Sequence, residues 1–397
     1  MIKEIREQFN ASFTDEKYRL FLEKLEQLTQ TKPGFRIAET PLFVPNSLNE
    51  QMQETCEHII DFIAHPSFKE LTAPSIPSHI SIPGESELPE IIVFDFGICK
   101  NQQNEIVPQL IEMQGFPSVF GLQIYLDELF KEFYSIPENF DSYLNDFNKT
   151  QYTEFLKDLI IGNDEAKHTI LLEFEPQHQK TLIDFVSLHN LLEIETACIK
   201  DLIPIGNQLF YINSKGDQTL IKRIFNRIVF EDIKEDDWNK ITSLQEDYNI
   251  RWINHPNWFY RISKYCLPFL DHPFIPKTYF LNELTQPLVL NEYVLKPIFS
   301  YAGMGVKINV EQSDIDAINN PEQWILQQKV SYEPVVKTPS DDAKAEVRLF
   351  YFWKKDWPRP IAIHNLARLS KGEMIGTRYN EDKKWVGGSI AFFESAG

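Results

Sequence analysis

The chain has 397 residues, of which 43% are hydrophobic and 24% charged, with 30 Phe and 15 Tyr. That composition suits a folded chain with a sizeable core and argues against disorder. A formal net charge of −19 argues against general binding to nucleic acid. The cysteines, Cys56, Cys99, Cys198 and Cys266, are far apart and form no CxxC pair. This argues against a disulfide framework or a zinc site. No apolar run approaches the roughly 20 residues that cross a bilayer. Together these features predict a cytoplasmic chain without membrane contact.

Residues 1–70 read mostly as helix. EKYRLFLEKLEQL (16–28) places Tyr18, Phe21, Leu22, Leu25 and Leu28 near one face. NEQMQETCEHIIDFIAH (49–65) is a second amphipathic stretch, and residues 72–90 read as an extended Pro/Ser connector. IIVFDFGICK and EIVPQLIEMQ flank the turn-prone NQQN, which predicts a hairpin over 91–114. Residues 119–160 look helical. TILLEFE (169–175), QHQKTLIDFVSLHNLL (177–192) and ACIKDLI (197–203) then follow a β–α–β order, which suggests a small α/β lobe. A second hairpin is expected to turn at Ser214-Lys215-Gly216-Asp217.

The segment most suggestive of chemistry is YVLKPIFSYAGMGVKI (293–308). A strand delivers Lys296, and a loop with Ser300, Ala302, Gly303 and Gly305 follows. Small residues let backbone N–H groups approach phosphate oxygens, and the lysine adds a point charge. No GK[ST] ends the loop, so it is not a Walker P-loop. The same residues also suit an ordinary hairpin with a glycine turn. Upstream, Lys264 stands at the start of an expected helix. Downstream, EQWILQQKVSYEP (322–334) is a strand ending at Gln327, Gln328, Lys329 and Val330, where backbone amides could meet an adenine edge. KAEVRLFYFW (344–353) and AIHNLARLSKGEMIG (362–376) each carry an arginine from a strand-like run. Glu173, Glu175 and His178 read as a helix start after a strand, and Cys99, Cys266 and His255 as structural residues.

In their order these motifs resemble the ATP-grasp superfamily, specifically its circularly permuted branch of the glutathionylspermidine synthase and eukaryotic glutathione synthetase type. The resemblance implies that Lys264 (ISKY) and Lys296 (YVLKP) hold ATP phosphates under the loop of Ser300, Gly303 and Gly305. It implies that Gln328 and Val330 hold the adenine. Arg368 (ARLSKGEMIG) is expected near the γ-phosphate, and with Lys296 it is the expected catalytic pair. WVGGS (385–389) resembles a second flexible lid. Mg²⁺ is expected on Asp95, Glu112 and Gln114, the last standing where relatives carry Asn. Alternation along a strand puts Glu112 and Gln114 on one face. Arg223 and Arg227 of KRIFNRI are the expected contacts to an anionic substrate, with structural ion pairing the other reading.

The fold class that follows is α/β (α+β), multi-lobed, ATP-grasp-like and circularly permuted, with a small inserted α/β lobe. Expected units are a helical segment and connector over 1–90, a metal-binding hairpin part over 91–165, a small α/β substrate lobe over 166–240, and an ATP-binding half over 241–397. The implied activity is ATP-dependent carboxylate–amine ligation through an acylphosphate. Its partners would be a small-molecule or peptide carboxylate and an amine. The alternative is a nucleotide-binding protein of the same fold without catalysis, which Gln114 and Ser300 leave open.

Overall fold

The structure is a computed structural model. It describes residues 2–395 other than 79, 81, 239, 240, 242, 243, 301, 302, 374, 376–379 and 381. Ala302, expected in the phosphate loop, therefore lies outside the described residues.

An antiparallel sheet of five strands organises the site, in the order Gly387–Ser389, Ile361–Ser370, Lys344–Phe352, Ile91–Lys100, Ile106–Gln114. The hairpin expected over 91–114 supplies two of them. On one face, Phe94, Phe96 and Ile98 with Val347 and Leu349 pack towards Leu48, Met52 and Ile59 of the helix Asn46–Ile63. On the other face, Ile91, Val93 and Phe350 meet the helix Phe120–Phe133, with the Phe120 and Phe350 rings 4.9 Å apart. Period-2 alternation carries that second face onward to Asp95, Arg348 and Glu346, where apolar packing gives way to charge.

A parallel sheet lies in the order Arg251–Ile253, Arg223–Asn226, Thr169–Glu173, Glu195–Cys198. The helix Leu182–Leu192 connects two of these strands, as the β–α–β reading expects. The run 197–203 is not one strand: Glu195–Cys198 ends in a 3-10 turn, and Ile203–Ile205 joins a separate sheet with Gln208–Ile212 and Gln218–Ile221. The hairpin turn at Ser214–Asp217 forms, with Gly216 at φ 86°. The helix Lys149–Ile160 opens on a capping box between Asn148 and Gln151, which satisfies two of its orphan donors. A further sheet, Thr278–Phe280, Trp324–Gln328 and Tyr293–Pro297, shares the lining of the site with the central one.

All four cysteines are free, and Cys56, Cys99 and Cys266 are buried. Among the described residues no helix is long and apolar enough to cross a membrane.

Candidate functional site

Two lysines from separate elements converge on a cavity of about 260 Å³. Lys264 opens the 3-10 helix Lys264–Phe269, where the Ser263 hydroxyl accepts from Tyr265 N–H as an N-cap. Its ammonium donates to the Ser300 carbonyl at 2.6 Å and stands 3.7 Å from Glu112 Oε2. Lys296 extends from Tyr293–Pro297, donating to Gln327 Oε1 and, at 3.3 Å, to the Ile111 carbonyl. That carbonyl is available because the 91–114 hairpin bulges. Asp95 pairs with Glu112 while Phe96 pairs with Leu110, which leaves Ile111 without a register partner. Burial lowers both lysines. Lys296 falls to about 8 despite Glu112, with Lys264 adding to the fall. Lys264 falls despite Glu112 and Asp95.

Glu112, Glu346 and Arg368 bring the charged end of the central sheet into the cavity lining, with Asp95 and Arg348 paired next to them. Cross-strand register lines up Glu112, Asp95 and Arg348 in one row, and Glu346 and Arg368 in the next. Arg348 donates from Nε and Nη2 to the two oxygens of Asp95, both at 2.6 Å. Arg368 Nη2 donates to Asp95 Oδ2 at 2.6 Å and lies 3.1 Å from Glu346 Oε2. Burial alone would raise Asp95, but the two arginines hold it below the usual carboxylate range. Burial raises Glu346 even beside Arg368. Tyr332 covers this row and donates its hydroxyl to Glu346. Gly97 makes room for it: a Cβ there would lie 2.6 Å from a Tyr332 ring carbon.

The sequence-predicted residues divide into groups. Lys264, Lys296, Glu112, Ser300, Gly303, Gln328, Val330 and Arg368 line one cavity. Gly305, at φ 72°, lies against Pro297 and lines a neighbouring groove instead. The Gln328 and Lys329 N–H groups already donate, at 2.8 Å each, to the Lys277 and Glu292 carbonyls, so those two amides do not face an adenine edge.

Three expectations need correction. Arg223 donates to the Ile160 and Leu159 carbonyls, which caps the helix Lys149–Ile160, and Arg227 donates to the Pro117 and Ser118 carbonyls. Both are buried with these nitrogens committed to backbone carbonyls, the arrangement the structural reading describes. Gly387 and Gly388 form no lid. They sit in the edge strand of the central sheet, where a Cβ on Gly387 would lie 2.3 Å from the Arg36 carbonyl. Asp95, Glu112 and Gln114 do not form a cation cage either. Asp95 is 1% exposed with both oxygens taken by arginine, and the Gln114 amide donates to Glu112 at 3.0 Å. Among the described residues no group of three His, Cys, Asp or Glu is placed to hold a metal. The Mg²⁺ set that the resemblance implies therefore does not fit these residues as they stand, because Arg348 fills the place between the carboxylates.

Sequence reasoning gives Arg348 no role beyond that of an arginine on a strand-like run, and it does not single out Glu346 or Tyr332. A signal existed: Lys344, Glu346 and Arg348 alternate in an otherwise apolar strand, and a charged period of two marks one polar face. Two buried donors at the site, Gln327 Nε2 and Arg368 Nε, have no hydrogen-bond partner. Unsatisfied buried donors invite an acceptor from a ligand.

Among solved structures, the chain has a glutathione synthetase-like fold. The similarity is to a glutathione synthetase-like effector from Globodera pallida, solved in its apo form. The TM-score is 0.58 at 11% identity, covering 97% of this chain and 99% of that one. No family description and no curated protein matches the sequence.

Proposed function

We propose that this chain is an ATP-dependent carboxylate–amine ligase of ATP-grasp type, its nucleotide phosphates lying over Lys264 and Lys296. The observation that carries the reading is the meeting of two buried lysines, one 152 positions and one 184 positions after Glu112 in the chain, beside one carboxylate-and-arginine cluster. A glutathione synthetase-like fold supports it. Burial lowers both lysines, and a polyanion beside Ser300 and Gly303 would favour their charged forms.

In this reading a substrate carboxylate oxygen attacks the γ-phosphorus. The bond to the β,γ-bridging oxygen breaks, and ADP leaves. Lys264, Lys296 and Arg368 stabilise the spreading charge on the phosphoryl oxygens. An amine nitrogen then attacks the acyl carbon, loses a proton, and phosphate departs with the mixed-anhydride oxygen. Ser300 and Gly303, which line the cavity, help keep water from the acylphosphate. The test is phosphate release from ATP across panels of carboxylates and amines. Turnover that disappears in Lys296→Ala supports the assignment, and turnover unchanged in that variant removes it.

A second reading has one observation in its favour. Arg348 occupies Asp95, an arrangement that suits nucleotide binding without ligation. ATP binding with no phosphate release on any carboxylate–amine pair would select it.

A further inference from the structure

Arg348 does more than pair with Asp95. Its guanidinium lies between two carboxylates, with both Asp95 oxygens at 2.6 Å and Glu112 Oε1 at 3.8 Å. Nη1 reaches Ser118 Oγ at 3.4 Å, so all three nitrogens have a neighbour. A divalent cation bridging Asp95 and Glu112 would need the same space. Displacing the guanidinium would leave the buried Asp95 carboxylate without its bidentate partner. Lys264 further occupies the other oxygen of Glu112.

The charge balance agrees. Lys264, Lys296, Lys329, Lys344 and Arg368 line the cavity against Glu112, Glu346 and Glu373, and Arg348 pairs with Asp95 beside them. The lining is cationic without any ion added.

We propose that Arg348 is a tethered cation standing in the place of a divalent metal, so that the nucleotide's phosphates bind to this chain without Mg²⁺. The proposal rests on the ATP reading above, and the experiment separates the two. ATP is titrated calorimetrically into the full chain in excess EDTA and again in excess MgCl₂. Dissociation constants within about threefold of each other are expected. Arg348→Ala opens the carboxylate pair and is expected to weaken ATP at least about tenfold in EDTA, with MgCl₂ restoring most of the loss. Arg348→Lys keeps a cation there and is expected to remain indifferent to Mg²⁺. Binding by the unaltered chain that tightens more than about thirtyfold with MgCl₂ would overturn the proposal and leave the ATP reading standing. Binding in neither buffer would overturn both. The comparison on the unaltered chain decides even if Arg348→Ala fails to fold.

Discussion

Lys296 donates to the backbone carbonyl of Ile111, 185 residues earlier in the chain, at 3.3 Å. This contact ties the strand bearing the late lysine to the bulge in the early hairpin. The bulge releases the carbonyl, and the carbonyl helps hold an ammonium that burial is otherwise stripping of its proton. An anion bound beside such an ammonium would favour its charged form.

That preference sets a pH dependence. Free Lys296 titrates at about 8. Phosphate would hold it protonated, so binding takes up a proton above that pH. ATP affinity is expected to be level below pH 8 and then to fall by up to about tenfold per unit above it. Calorimetry from pH 7 to 10 in EDTA checks this. A flat profile to pH 10 would contradict the placing of phosphate at Lys296.

Asp95 governs the acid side of stability. Its folded pKa is depressed by Arg348 and Arg368. Its contribution is therefore present above the unfolded carboxylate value of about 4 and is lost as pH falls towards the folded one. Asp95→Asn removes the buried carboxylate that holds the partly buried Arg348 and Arg368, leaving Arg368 with Glu346 alone. It is expected to lose about 3–5 kcal/mol at pH 7 and to show a flatter acid limb. Urea melts at pH 7 and pH 3 measure both.

Gly97 and Tyr332 should be coupled. Gly97→Ala puts a methyl group against the Tyr332 ring and disturbs its hydroxyl bond to Glu346. A loss of about 1–3 kcal/mol is expected. On a Tyr332→Ala background the same change is expected to cost under about 0.5 kcal/mol. Equal costs on both backgrounds would show that the ring is not the obstacle.

Arg223 separates structure from binding. Arg223→Met uncaps the Leu159 and Ile160 carbonyls and is expected to cost about 1–3 kcal/mol of stability. ATP affinity is expected to stay within about twofold, measured on folded protein. A selective loss of affinity would restore Arg223 to the site.

What the sequence made legible follows from the range of each signal. A lysine ending a strand before small residues, and a polar pair alternating at Glu112 and Gln114, are local patterns that carry their own geometry. The hairpin was legible for the same reason. The bulge at Ile111 was not, since apolar alternation looks alike on either side of one extra residue. One partner of Asp95 lay 253 positions away, and only strand pairing brings Arg348 to it. Gly387 misled because glycine marks close backbone approach as well as mobility, and here Arg36 is what approaches. Arg223 and Arg227 misled because a strand-end arginine serves a substrate anion and a helix carbonyl equally well.

The most direct measurement is an ATP titration of the unaltered chain beside Lys296→Met, both confirmed folded by thermal melting. Micromolar binding to the unaltered chain, weakened at least about thirtyfold in the variant, is the expected result. Equal binding by the two proteins, or binding by neither, would contradict a phosphate site at Lys296.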